Sequence, residues 1–482
     1  MKSSKLDYLA ASGTVILCTL FTLVFNIYVR SYVPPKDYGI YTSVNMLLLY
    51  LNYIQLGVMN SYNRDYPQLL GAGDEKEAGF RKSLVFTYLL LIYTAAFVAL
   101  SLPFLFLTLT HRMDLKLGLG FLTNSLFALF TALYNFLDNS LKAEKRFLYS
   151  SSMGLIKTAA LILTGVFTVS AWGYYGLLIS TLISLAVTLL VNFRYFTKLH
   201  LIFRLKVILE MIRYGLPLLV NGLVWTIMMS VDKFVILLYM TMEDLGIYSV
   251  ALLGFSTLML VPQSISQIFY IKMSRLYGAT HDIEQLMLHA KKFTLYLAVT
   301  ASFLTIGAYY ILPIFIRYTM QDYSDGTVSA QILIIGVGLY STTLLYSNLF
   351  SVLKLNMRLV SSTAVLCLLN FILSCGLVIL WGRDIRNVAY GTSVSYALYA
   401  VILNVLLGKT LKQRFIGLIF HSLAPVGISV LLIILLTFFL ENIILAFFVN
   451  MLLAAAVIYV VYYKTIQKYR RLHGGYDEPQ NE

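Results

Sequence analysis

Long apolar stretches recur along the whole chain, and they constrain its fold more than any other feature. A helix needs about 20 apolar residues to cross the hydrocarbon core of a bilayer. Hydrophobic residues make up 59% of the sequence and charged residues only 12%, against roughly 25% charged in a typical soluble domain. The sequence therefore predicts an all-α integral membrane protein.

We predict about 14 transmembrane helices. Their approximate ranges are 8–29, 39–62, 83–108, 118–137, 148–170, 173–193, 214–238, 246–270, 293–316, 328–353, 360–381, 389–407, 421–440 and 443–463. The segments between them are at most about twenty residues long, so no soluble domain is expected.

A short motif occurs twice in the chain. Asp37-Tyr38-Gly39-Ile40-Tyr41 returns as Asp244-Leu245-Gly246-Ile247-Tyr248, and Trp172-Gly173 returns as Trp381-Gly382 in the same order. Many secondary transporters are built from a duplicated helical bundle with the substrate path between the halves. Because each copy here holds six helices, both copies enter the membrane from the same side. We therefore predict a transporter made of two six-helix lobes in a parallel repeat, plus two extra C-terminal helices.

The repeat divides the chain into five predicted segments. They are a first lobe (1–193), a cytoplasmic interfacial linker (194–213), a second lobe (214–407), two additional transmembrane helices (408–463) and a cytoplasmic tail (464–482), which is polar and expected to be disordered.

The basic residues indicate an orientation. Lys and Arg concentrate on the cytoplasmic side of membrane proteins, and most of the 36 Lys and Arg fall in segments that are cytoplasmic if the N-terminus is inside. The net charge of +14 is then an orientation signal, and no basic arm supports a nucleic-acid partner. We expect a multi-pass protein of the bacterial cytoplasmic (inner) membrane with both termini in the cytoplasm and the first helix retained.

Lys157 is the most informative single residue. It lies about ten residues into the fifth predicted helix, or roughly 15 Å along it. A Lys at that depth costs about 2.5–3.5 kcal/mol on insertion scales. It should face a wet cavity that receives an anionic substrate, or else form an ion pair between helices, with Asp138 as one candidate partner.

Three further charges have two interpretations each. Asp232 and Lys233 are adjacent near the outer end of the seventh helix, about 100° apart on the helix, so they cannot simply neutralise each other. They face a substrate path or set the depth of the helix. Arg30 lines the same path or reaches the lipid headgroups.

Amide side chains are frequent in several predicted helices. Asn45, Asn52 and Gln55 are spaced to share one helix face. Such amides join helices across a bundle, or as a set they suit a hydroxyl-rich ligand such as a sugar. The candidate cavity residues are Lys157, Arg30, Lys233, Asp232, Arg64, Asn26, Asn52, Gln55, Asn221 and Asn370.

The chain carries none of the common catalytic or metal-binding motifs. We expect a transporter rather than an enzyme, with no catalytic residue, no metal and no cofactor. Coupling to H⁺ or Na⁺ fits this class, but no residue identifies the ion.

The chain resembles the MOP superfamily, which contains multidrug (MATE) exporters, peptidoglycan lipid flippases and polysaccharide flippases. It most resembles the polysaccharide branch. The resemblance rests on the two copies of the repeated motif, on Asn63-Arg64-Asp65-Tyr66-Pro67, on Tyr214-Gly215-Leu216-Pro217 and on Ser230-Val231-Asp232-Lys233-Phe234.

The resemblance implies two six-helix lobes around a central cavity that opens alternately to either side. It implies export of undecaprenyl-pyrophosphate-linked O-antigen or capsule repeat units, with Lys157, Arg30, Lys233 and Arg64 attracting the pyrophosphate and the glycan. The implied partners are the lipid-linked glycan, membrane lipids and other polysaccharide-assembly proteins. A cation-coupled exporter of small organic molecules on the same fold is the first alternative, and a membrane glycan-assembly enzyme is the second.

Overall fold

The computed structural model describes residues 2–471 and is built of helices. For residues 2–12 and a few positions elsewhere, Asn221 among them, it describes the backbone alone. The predicted tail lies outside the described residues from 472 onward, and residues 464–471 continue the last helix.

The helices follow one another with short connections. They are α1 (Lys2–Tyr32), α2 (Pro35–Leu51), α3 (Val58–Gly71), α4 (Glu75–Leu109), α5 (Leu115–Ala143), α6 (Phe147–Trp172), α7 (Tyr174–Val191), α8 (Phe193–Phe196), α9 (Leu205–Met228), α10 (Val231–Tyr239), α11 (Met242–Thr280), α12 (Ile283–Thr319), a 3-10 helix (Gln321–Gly326), α13 (Thr327–Ser341), α14 (Leu344–Val352), α15 (Asn356–Trp381), α16 (Ile385–Leu411), α17 (Phe415–Ser422), α18 (Ala424–Phe439) and α19 (Ile443–Arg471).

The all-α membrane class predicted from the sequence is confirmed. Within the described residues, 11 helical segments are long and apolar enough to cross a membrane, and the number rises to 13 when two bent helix pairs are each taken as one span. Bulky apolar side chains stand exposed on these helices, for example Leu163 (65%) and Phe167 (73%). A lipid-facing surface explains such exposure, whereas a water-facing one does not.

The second predicted helix, 39–62, is interrupted, so the continuous span expected there is wrong. α2 ends at Leu51 and α3 begins at Val58. In the turn between them, Leu56 (φ 53°) and Gly57 (φ 87°) adopt left-handed backbone conformations. This break accounts for the difference between the predicted count of 14 and the 13 candidate spans. The seventh predicted helix, 214–238, is divided as well, because α9 ends at Met228 and α10 begins at Val231.

Two compact units divide the structure. The first comprises residues 2–233 and Thr241–Ile247, and the second comprises Phe234–Met240 and residues 248–471. α9 packs against α3 and belongs to the first unit. The five segments predicted from the repeat remain a prediction.

The first unit is held together by helix pairs, chiefly α6 with α7, α4 with α5 and α1 with α6. A large part of its core lies where α3, α4 and α5 meet, around the buried side chains of Tyr62, Leu84 and Phe136. In the second unit, α18 and α19 pack on α12, where Asn450 of α19 donates a hydrogen bond to the Tyr310 hydroxyl (3.3 Å).

The two copies of the repeated motif meet inside the first unit. A Cβ atom added at Gly39 of α2 would lie 1.6 Å from the carbonyl oxygen of Met242, and one added at Gly246 of α11 would lie 1.8 Å from the carbonyl oxygen of Pro35. Neither glycine therefore has room for a side chain. The repeated motif is thus a backbone-to-backbone packing contact.

A second close contact explains the break between α2 and α3. A Cβ atom at Gly57 would lie 2.4 Å from the carbonyl carbon of Gly215 in α9. Only glycine combines this approach with a left-handed backbone at no steric cost. The turn between α2 and α3 therefore packs directly against the backbone of α9 at Gly215 and Leu216.

Candidate functional site

The helix pair α1–α6 carries two of the predicted basic residues. The Tyr28 hydroxyl of α1 donates a hydrogen bond to the carbonyl oxygen of Val166 in α6 (2.8 Å). A Cβ atom added at Gly165 of α6 would lie 2.3 Å from the ring of Phe25 in α1. Because the contacts follow the same order along both helices, the helices run parallel. The pairing of Phe25 with Gly165 places Lys157 level with about residue 17, roughly 20 Å below Arg30.

Lys157 lies against an aromatic ring. Its Nζ is 4.8 Å from the centroid of Tyr134 on α5, within the range in which a ring face attracts a cation. Among the side chains that the structure describes, no carboxylate lies within 4.0 Å of this ammonium. The positive charge of Lys157 is therefore in contact with a ring quadrupole and forms no ion pair with a described acid.

Asp138, the candidate partner from the sequence, has other contacts. Its carboxylate forms an ion pair with Lys142 one turn further along α5 (2.6 Å) and accepts a hydrogen bond from Ser150. The Asp138 carboxylate therefore links the end of α5 to the start of α6 and does not form an ion pair with Lys157.

Arg30 is enclosed by protein. Only 5% of the residue is exposed, its guanidinium lies 4.2 Å from the ring centroid of Tyr38, and Nη1 donates to the carbonyl oxygen of Asn26 (2.9 Å). The Asn26 amide in turn donates to the carbonyl of Thr22 (2.9 Å). An Arg that reaches the lipid headgroups has an exposed guanidinium, so the burial of Arg30 argues against that interpretation.

Arg64 lies midway along α3 and is half-exposed. Its Nε pairs with Asp65 (2.7 Å), which also accepts a hydrogen bond from Ser61 (3.0 Å), and its guanidinium lies 5.5 Å from the ring centroid of Tyr214. The hydrogen bond and the charge of Asp65 raise the pKa of Arg64. Arg64 therefore stays charged, with part of its charge compensated.

The amides of the second predicted helix do not share a helix face. Asn52 and Gln55 lie in the turn between α2 and α3. The prediction that they share a helix face with Asn45 is therefore wrong, because the helix ends at Leu51. Gln55 is 7% exposed, and its Oε1 accepts a hydrogen bond from the backbone N–H of Met59 (2.8 Å). It thereby satisfies one of the N–H groups left without a partner at the start of α3. Beside it, the Tyr53 hydroxyl bonds Thr226 of α9 (2.5 Å).

The remaining candidates belong to other helices. Asp232 is buried and Lys233 is partly buried at the start of α10, and no described carboxylate lies within 4.0 Å of Lys233. Asn370 in the second unit is fully buried, and its Oδ1 accepts hydrogen bonds from Ser374 (2.9 Å) and Thr392 (3.1 Å). It joins α15 to α16, as the structural interpretation of such amides predicts. The side chain of Asn221 lies outside the described residues.

Sequence reasoning missed the tyrosines. Three basic candidates of the first unit, Lys157, Arg30 and Arg64, each lie near a tyrosine ring, and none of those tyrosines was predicted as a site residue. For Tyr38 a signal existed, because it is the second residue of the repeated motif. Tyr134 offers no sequence signal, since its position opposite Lys157 depends on the packing of α5 against α6.

Comparisons with known proteins agree with this architecture. A family model described as "Polysaccharide biosynthesis protein" matches residues 33–319. The chain belongs to this family. The region matched by the polysaccharide biosynthesis family contains both copies of the repeated motif together with Lys157 and Lys233, and it begins just after Arg30. No curated protein matches the sequence.

Solved structures with the same fold are transporters. The lipid II flippase MurJ in its inward closed conformation has a TM-score of 0.73 at 16% identity, covering 95% of this chain and 100% of its own. An inward-facing multidrug resistance MATE family transporter of the MOP superfamily has a TM-score of 0.66 at 16% identity, with 82% and 94% covered. A MOP superfamily transporter from Pyrococcus furiosus has a TM-score of 0.56 at 15% identity, with 84% and 94% covered. This polysaccharide biosynthesis family member therefore has the MOP transporter fold.

Proposed function

We propose that the protein is a flippase of the bacterial cytoplasmic membrane for surface polysaccharide biosynthesis. It moves undecaprenyl-pyrophosphate-linked oligosaccharide repeat units from the inner to the outer leaflet by alternating access, and no covalent step is involved. Its termini lie in the cytoplasm. The family match supports the link to polysaccharides, and the fold shared with a lipid II flippase supports the movement of a lipid-linked sugar.

The observation that carries the proposal is the charge of the α1–α6 pair. Lys157 lies deep within an apolar helix and has no carboxylate partner within 4.0 Å among the described side chains. Phosphate oxygens form strong charge-assisted hydrogen bonds with ammonium and guanidinium groups. A pyrophosphate that reaches Lys157 offsets the cost of placing this cation in the membrane, so the residue suits an anionic lipid headgroup.

A cation-coupled exporter of small organic molecules is the second candidate. The fold shared with the MATE transporter and the buried carboxylate of Asp232 favour it. A cationic substrate, however, requires carboxylates along its path, and the α1–α6 pair offers Lys157 and Arg30 instead.

The test uses a host that lacks this gene. Surface polysaccharide and lipid-linked repeat units on the cytoplasmic leaflet are measured, and the wild-type gene is then restored as the control. Loss of surface polysaccharide with repeat units trapped inside supports the flippase, and the trapped lipid identifies the substrate. If no second flippase gene is present, normal polysaccharide refutes the proposal and places the exporter first.

A further inference from the structure

A cavity of about 440 Å³ lies at one end of the first unit, where α5 turns into α6. Its walls include Asn63 of α3, Asn139 and Lys142 of α5, Lys145 of the turn and Phe147 of α6. The volume falls in the range of about 300–1,000 Å³ typical of small-molecule sites. Phe147 precedes Lys157 by ten residues, or roughly 15 Å, so this cavity is separate from the site proposed above.

Three polar side chains in the wall have unused hydrogen-bonding capacity. Asn63, Asn139 and Lys145 are partly or fully exposed. Their side chains make no hydrogen bond and no ion pair with any other residue in the described part of the chain. The two amides and the ammonium together offer seven N–H donors, which is a set suited to an acceptor-rich anion.

The local charges leave the cavity positive. Three acids lie next to lining residues, and all are already paired: Asp138 with Lys142 (2.6 Å), Glu144 with Lys82 (2.6 Å) and Asp65 with Arg64 (2.7 Å). The ammonium of Lys145 is therefore the surplus charge, and it needs no rearrangement of an existing ion pair to bind an anion.

The backbone of Lys145 follows the end of α5. It has φ 60°, a left-handed conformation that is common just after a helix, and the N–H of Arg146 donates to the carbonyl oxygen of Leu141 (2.8 Å), which closes the last turn. Lys354, in the short turn between α14 and α15 of the second unit, has the same conformation (φ 59°). Lys354 does not line this cavity, so it is a matched lysine for comparison.

We propose that this cavity binds a phosphate group through Lys145, Asn63 and Asn139. The phosphate belongs to a membrane lipid headgroup or to a soluble phosphate compound, and both present the same oxygens to the site. On the orientation predicted from the basic residues, this end of the unit faces the cytoplasm. The site does not depend on the proposed flippase function.

The experiment compares the full-length wild type with Lys145→Gly and Lys354→Gly. Both substitutions remove one exposed lysine and place glycine in a left-handed turn, so both should fold, which a thermal melt checks. Binding of inorganic pyrophosphate is measured by calorimetry in detergent, with Lys157→Met present in all three proteins so that the site proposed above does not contribute. Retention of phosphatidylglycerol is measured by native mass spectrometry after reconstitution with and without this lipid. Asn63→Ala/Asn139→Ala is the second variant if Lys145→Gly does not fold.

We expect Lys145→Gly to weaken binding by about tenfold, the usual value of a hydrogen bond to a charged group, while Lys354→Gly binds like the wild type. Such a loss with pyrophosphate assigns a soluble phosphate compound to the cavity. Such a loss with phosphatidylglycerol alone assigns a lipid headgroup. If neither probe binds, or if every probe that binds the wild type binds Lys145→Gly equally well, the proposal is overturned.

Discussion

Replacing Lys157 by methionine separates the two roles that a lysine in the membrane can have. Methionine keeps an unbranched side chain of similar length and removes the charge. If Lys157 serves the substrate, the variant folds and does not transport. If Lys157 holds α6 against α5, the variant loses stability.

The structure sets the expected energy. A Lys near the middle of a membrane helix costs about 2.5–3.5 kcal/mol. The contact with the Tyr134 ring at 4.8 Å returns about 0.5–2 kcal/mol, and the described residues offer no ion pair that returns more. The difference is positive, so Lys157→Met should raise the free energy of unfolding by about 0.5–3 kcal/mol.

The assay measures transport, folding and stability for each variant. Surface polysaccharide reports transport, the amount of protein in the membrane reports folding, and the melting temperature of the purified protein reports stability. We expect Lys157→Met and Lys157→Ala to abolish transport at normal protein amounts and Lys157→Arg to retain part of it. Lys36→Met is the matched control, because Lys36 is an exposed lysine outside the helix pair.

Two results would refute this reasoning. A lower melting temperature and less protein for Lys157→Met would assign the lysine a structural role. Normal polysaccharide in a strain whose only flippase is Lys157→Met would show that the charge serves no transported anion.

The other predictions concern packing. Gly39→Ala should lower stability by about 1–3 kcal/mol, because its Cβ would meet the carbonyl oxygen of Met242 at 1.6 Å; Gly79→Ala, whose Cβ meets nothing within 4 Å, should melt like the wild type. Equal melting of the two alanine variants would contradict the close contact. Asn370→Ala removes the acceptor of two buried hydroxyls and should cost about 1–3 kcal/mol while transport per folded molecule is kept; transport lost at full stability would instead assign Asn370 to the substrate path.

The sequence located the membrane-spanning helices because the information is local. About 20 consecutive apolar residues suffice to mark a span, and most of the predicted ranges overlap an observed helix. The interrupted second helix escaped this reasoning. Its apolar pattern continues through 52–57, and the left-handed turn at Leu56 and Gly57 depends on a contact with Gly215, far away in the sequence.

The sequence by itself determined the class of protein, the repeated motif and the positions of the charges within its apolar helices, since each of these is a property of neighbouring residues or of a repeated string. Only the tertiary structure decided what those residues touch. In the structure the repeated glycines pack backbone against backbone, Asp138 forms an ion pair with Lys142, and the ammonium of Lys157 lies over the ring of Tyr134. Such partners come from different helices, and the pattern within one helix carries no information about which neighbour will pack against it.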